Sequence, residues 1–200
     1  MRQARLLRSV IVAALVFSAP ALFAQDKNSI LKPPKGSKLA LVVFEDMQCP
    51  QCARVHPQVT EASKSYNIPV VTYDFPLNQH PWAFDAAVIA RYYSTKDKKL
   101  GDDFRTYIFL HQVEITKDNL RSFADRFGAG HQAPLPFAID PQGKLAGEVK
   151  ADRDLGMRVG IQHTPTVYVV AERKAGPPYV EVTDPRQLFE TIDEVKRTVQ

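Results

Sequence analysis

Cysteine is scarce in this 200-residue chain: there are two, Cys49 and Cys52. Two cannot build the disulfide framework of a small secreted scaffold. Nor can they complete a four-cysteine zinc site, because no second C-x-x-C exists. No long apolar run follows the stretch Val10 to Phe17, which is about half the length needed to span a bilayer as a helix. The first 24 residues hold no acid. There is no internal repeat and no linker long enough to divide the chain. The 15 prolines and nine glycines fall without period, which excludes a collagen-like fibre. Hydrophobic residues at 44% and charged residues at 24% sit near globular averages and exclude a disordered, low-complexity chain.

The formal charge of +4 is largely a property of the N-terminus. Setting aside Arg2, Arg5 and Arg8 leaves 23 basic residues against 22 acidic ones, and nothing in that balance asks for a nucleic-acid partner. Residues 1–24 read as a secretion signal: a basic start, the apolar stretch, then small residues around Ser18-Ala19-Pro20-Ala21. Cleavage is expected after Ala21 or Ala24. An amphipathic helix of the folded domain is the alternative. The processed protein is expected to be soluble and exported.

Export changes how the cysteines are read. A bridge across Cys49-Pro50-Gln51-Cys52 closes too short a loop to remove much unfolded-state entropy, so it is a poor staple. Redox chemistry or a two-thiolate metal site remains.

Leu39–Glu45 is a short apolar run, expected to be a strand buried on both faces. A helix should follow from Pro50, placed where its missing N–H is harmless, to about Tyr66, with a kink at Pro57. A second strand is expected over 68–75. Helices are expected at about 81–93, at 103–111, and from an N-cap at Thr116 to a stop at Gly128. Residues 142–159 read as weakly helical. Strands follow at 166–170 and 179–182. A last helix starts at Asp184 and Pro185 and aligns Leu188, Ile192, Val195 and Val199. Trp82 and the spaced phenylalanines are most simply core.

This order resembles the DsbA-like branch of the thioredoxin superfamily. The resemblance is carried by Phe44-Glu45-Asp46-Met47-Gln48-Cys49-Pro50-Gln51-Cys52 and by His163-Thr164-Pro165-Thr166. Asp74-Phe75-Pro76-Leu77 with His80-Pro81 adds to it. It implies an α/β, thioredoxin-like fold with a helical insertion, about 81–160, between the second and third core strands. Residues 25–200 then form a single domain.

The implied activity is thiol–disulfide exchange with protein or peptide thiols, in the periplasm and as a monomer. A Cys49–Cys52 redox disulfide is the only cofactor implied, without a metal. Running as an oxidase, the protein needs a membrane quinone-linked reoxidant of the DsbB or VKOR type. A reductase is the first variant. An isomerase is not expected, because residues 25–38 are too few for the extra dimerisation domain such relatives carry.

A helix N-terminus stabilises an anion, so Cys49 is the expected thiolate and Cys52, one turn further in, the protonated resolving thiol. Pro50 and Gln51 would modulate the pair. The resemblance makes Pro165 a cis-proline beside the cysteines and Thr164 the residue that pairs its backbone with an extended substrate. His163 is a candidate neighbour of the site.

His56 falls on a similar helix face to the cysteines and could favour the thiolate or join a metal site. A surface position beside Pro57 is the simpler reading. His80, His111 and His131 show no distinguishing spacing. A copper-binding metallochaperone, with Cys49, Cys52 and either His163 or His56 as ligands, is the alternative from another class. Two departures from the family stand out. Val43 occupies the position where relatives carry a buried acid, and Gln51 stands where the strongest oxidants have histidine. The expected Cys49 pKa is about 4.5–6.5.

Overall fold

The structure is a computed structural model that describes residues 27, 29–173 and 176–199. The expected signal segment 1–24 lies outside the described residues. Four strands form one sheet: β1 (Leu39–Glu45), β2 (Val70–Asp74), β3 (Thr166–Ala171) and β4 (Tyr179–Glu181), in the order β2-β1-β3-β4. β1 is parallel to β2 and antiparallel to β3, and β4 returns antiparallel to β3. α1 (Pro50–Tyr66) crosses between β1 and β2. The helical block between β2 and β3 comprises α2 (Ala83–Lys96), α3 (Lys98–Leu110), α4 (Leu120–Gly130) and α5 (Lys144–Val159), and α6 (Leu188–Lys196) closes the chain. This is the mixed α/β, thioredoxin-like architecture. Among the described residues, no helix is long and apolar enough to cross a membrane.

The seven residues of β1 are all buried because both faces of the sheet are covered. Side chains alternate along a strand. Leu39, Leu41 and Val43 meet Val55, Val59 and Ala62 of α1 and Leu188, Ile192 and Val195 of α6. Ala40, Val42 and Phe44 pack on the other side with Phe75, Val159 and Tyr168. A separate cluster inside the helical block joins Tyr93, Phe104, Ile108, Phe123 and Phe127 and extends to Trp82 and both cysteines.

Several boundaries differ from the sequence reading. β2 spans only Val70–Asp74. α1, by contrast, keeps the expected bounds Pro50–Tyr66 and runs through Pro57, and Asn67, with φ of 51°, supplies the left-handed cap. α3 begins at Lys98, five residues before the expected start, because Asp97 caps it by accepting from the Lys99 N–H at 2.6 Å. α4 begins at Leu120, since Thr116–Asn119 is a closed turn in which the Thr116 N–H donates to Asn119 Oδ1 at 2.7 Å. It also passes through Gly128 to Gly130. The stretch around 142–159 is a full helix, α5. Asp184 and Pro185 open a 3-10 turn, Pro185–Gln187, ahead of α6, and Val199 lies beyond that helix, bridged to Arg173.

Candidate active site

Cys49 occupies the N-cap of α1, and Pro50 takes its first turn. Buried Asp46 shapes the turn that delivers it. Asp46 Oδ1 accepts from the Gln48 N–H at 2.7 Å, and Oδ2 accepts from the Leu77 N–H at 2.7 Å. The Trp82 N–H donates to Gln48 Oε1 at 2.9 Å. From the 3-10 turn Gln112–Glu114, Gln112 Nε2 donates to the Met47 and Cys49 carbonyls at 2.8 and 3.1 Å. The turn is therefore held from two sides by the helical block.

Both cysteines are free thiols, with Cys49 6% exposed and Cys52 1% exposed. The Cys49 thiol donates to the Thr164 carbonyl at 3.3 Å, so the cis Thr164–Pro165 bond lies against the first cysteine. Cys52 sits one turn further in, with the Asp46 N–H 3.5 Å from its sulfur.

This geometry separates the two thiols electrostatically. Cys49 is lowered to about 5, chiefly because the Cys52 thiol hydrogen-bonds it. The Thr164 side chain and the Cys52 and Gln51 N–H groups at the helix start add to that, against the opposing effect of burial. Thr164 Oγ1 is buried without a hydrogen-bond partner while Cys49 is a thiol, so its hydroxyl is a donor held ready for the thiolate. Cys52 is pushed up, first by burial and then by its neighbour Cys49, with a smaller contribution from the charge of Glu45.

The remaining sequence candidates fall in different places. Gln51, His163, Thr164 and Pro165 line one groove of about 270 Å³, floored by Val55, Val167 and Leu188. Gln51 is exposed, and its Oε1 accepts from Arg54 Nε at 2.8 Å. His163 is exposed, with Nδ1 3.0 Å from Thr166 Oγ1.

His56, read from sequence as a surface residue, is instead mostly buried between α1 and α3. Its Nε2 is 2.8 Å from Thr106 Oγ1 and its Nδ1 3.9 Å from Glu45 Oε2. Of the two histidines considered as third copper ligands, His163 lies in the groove beside Thr164 and Pro165, whereas His56 lies in the cavity lined by Glu45 and Thr106. Among the described residues, no group of three His, Cys, Asp or Glu is arranged to hold a metal ion. His80, quoted with Pro81 for the resemblance but given no role, pairs with Asp46 at 2.8 Å, and Gln112 carries no local signal in the sequence.

A thioredoxin family profile matches residues 34–188. The chain belongs to the thioredoxin family. Among curated proteins, the Na(+)/H(+) antiporter NhaA 3 of Salinispora tropica is 26% identical over 153 residues, covering 76% of this chain and 23% of the antiporter. The chain thus spans under a quarter of the length of the curated relatives it matches.

Two solved structures share this thioredoxin-family fold. The thiol-disulfide exchange protein alpha-DsbA2 from Wolbachia pipientis superposes with a TM-score of 0.63 at 19% identity, covering 86% of this chain and 91% of that one. A periplasmic thioredoxin-like protein from Salmonella enterica serovar Typhimurium superposes with a TM-score of 0.62 at 21% identity, covering 81% and 86%.

Proposed function

We propose that this chain is a protein thiol–disulfide oxidoreductase that works as an exported disulfide oxidase. In the oxidised protein a substrate thiolate attacks Cys49 Sγ, and Cys52 leaves with the electron pair of the broken S–S bond. A second substrate thiolate then attacks the substrate sulfur of the mixed disulfide and releases the Cys49 thiolate. Two substrate thiols end as a disulfide, and the Cys49–Cys52 pair ends as a dithiol. A low-pKa thiol is the better leaving group, so Cys49 is the sulfur suited to that release.

One observation carries this reading: Cys49 caps a helix against the Thr164 carbonyl, while Cys52 lies buried beneath it. Stabilising the Cys49 thiolate stabilises the reduced protein, which makes the oxidised protein the stronger oxidant. Thr164 and Pro165, with His163 and Gln51 at the rim, border a groove into which an extended peptide fits by backbone pairing. The catalytic pair is Cys49 and Cys52; Pro50, Gln51 and Pro165 set its surroundings.

The basic-then-apolar start of the sequence supports export, and the fold shared with a periplasmic protein agrees with it. A monomer whose dithiol product must be reoxidised outside the cytosol needs an electron acceptor, for which a membrane quinone-linked protein of the DsbB or VKOR type is suited. The deciding measurement is the equilibrium potential of the pair against a glutathione series. A value of roughly −130 to −220 mV is expected. A value at or below the thioredoxin level of about −270 mV would instead make the protein a reductase.

A further inference from the structure

We propose that His163 is the general base that takes the proton from the incoming substrate thiol. The proposal rests on the oxidase reading above and adds a catalytic residue to it. A disulfide is attacked by a thiolate, and an ordinary thiol, with a pKa of about 8.5, is mostly protonated at neutral pH. The cysteine pair cannot serve as the base, because in the oxidised protein its two sulfurs are bonded to each other.

Hydrogen bonding to Thr166 decides which ring nitrogen is basic. The Thr166 hydroxyl donates its single hydrogen to the His163 carbonyl at 2.7 Å. In its 3.0 Å contact with His163 Nδ1 the same hydroxyl oxygen must therefore accept, so Nδ1 carries the hydrogen of the neutral ring. Nε2 keeps the lone pair. Among the described residues no other hydrogen bond holds the ring, and the side chain is exposed. The imidazole is thus anchored through one nitrogen and offers the other as a base.

Its place in the fold gives that base a substrate. His163 directly precedes Thr164, whose carbonyl receives the Cys49 thiol at 3.3 Å, and both line the groove with Gln51 and Pro165. A sulfur that attacks Cys49 must arrive opposite the bond it breaks. Cys52 lies beneath at 1% exposure, so the attacking sulfur comes from the open side, which the groove borders. Among the residues lining the groove only His163 titrates; the others are amide, hydroxyl, proline and aliphatic side chains. The charges beside those residues are engaged already. Arg54 Nε donates to Gln51 Oε1, and Asp184 and Arg186, on either side of Pro185, pair with each other. Cys49, bonded to Cys52, is uncharged when the substrate arrives.

In the step itself the substrate S–H gives its proton to Nε2, the thiolate attacks Cys49 Sγ, and Cys52 leaves with the electron pair of the broken bond. The imidazolium returns its proton to the buffer and Cys52 gains one, so one S–H is consumed and one is formed. The test mixes the oxidised protein with either of two thiols and follows loss of the protein disulfide by acid quench and mass spectrometry. Reduced glutathione is mostly protonated at neutral pH, whereas the aromatic thiol para-mercaptobenzoate is already ionised there. His163→Asn retains a side-chain N–H for Thr166 Oγ1 and lacks Nε2. It should slow the reaction with glutathione by about ten- to a hundredfold near neutral pH and leave that with para-mercaptobenzoate within about twofold. The glutathione gap should close toward about pH 9, where that thiol ionises unaided.

An unchanged glutathione rate in His163→Asn overturns the proposal alone. Equal slowing with both thiols also overturns it, since a residue that only shapes the groove would affect the two alike. If that variant does not fold, the same comparison in His163→Gln decides. A wild-type disulfide that resists both thiols overturns the oxidoreductase reading and the base with it.

Discussion

The buried Asp46 carboxylate meets the His80 imidazole at 2.8 Å, Oδ2 to Nδ1, and so ties the end of β1 to the loop after β2. The same carboxylate accepts two backbone N–H groups, from Gln48 and Leu77. Asp46→Ala leaves both without a partner in a buried turn, at about 1–3 kcal/mol each, for a total loss of roughly 2–6 kcal/mol. His80→Ala removes one contact and leaves those two in place, so it should cost only about 0.5–1.5 kcal/mol. Urea unfolding of the reduced proteins checks the order. Equal losses in the two variants would mean that Asp46 does not hold the turn.

What the sequence makes legible here is what neighbours in the chain decide. Seven buried residues from Leu39 to Glu45, a proline at a helix start and a threonine-proline pair before a strand announce their structures locally. The contacts that shape the site join distant residues: Asp46 with His80, His56 with Thr106, Glu45 with Arg105. A histidine's environment is set by what folding brings opposite it. His56 therefore reads as a surface residue on its own helix and turns out to face α3. The start of α3 is missed for a different reason, because its cap is local. Asp97 sits in a lysine-rich run that looks like a loop, yet its side chain caps α3.

Gly156 sits inside α5, where alanine would ordinarily be the better helix former by about 1 kcal/mol. Here a Cβ would stand 2.5 Å from the Phe75 ring and 3.2 Å from Phe44, both buried against the sheet. Overpacking of this kind costs about 1–3 kcal/mol, enough to outweigh the propensity gain. Gly156→Ala should therefore lower the melting temperature, whereas Gly147→Ala, with nothing within 4 Å of its Cβ, should leave it unchanged or raise it. A stabilising Gly156→Ala would show that α5 is not pressed onto Phe75.

The two thiols give the redox equilibrium a pH signature whose sign follows from their environments. Cys49 is lowered to about 5, from the usual thiol range near 8.5. The stability it lends the reduced protein is complete above about pH 8.5 and fades as pH falls through about 5. Cys52 is raised, so its contribution is complete below about pH 8.5 and is lost as pH climbs toward its folded value. The stability of reduced over oxidised protein should climb between about pH 5 and 8.5 and turn downward above that. Potentials report the same ionisation. Below about pH 5 reduction takes up two protons with two electrons, and the potential should fall by about 60 mV per pH unit. Above it Cys49 stays ionised, one proton is taken up, and the slope should halve to about 30 mV. Glutathione equilibria at a series of pH values, with thiolate absorbance followed in parallel, locate the break. A slope that remains near 60 mV through neutral pH would mean that Cys49 is protonated there, and the helix-start thiolate on which the oxidase reading rests would be lost.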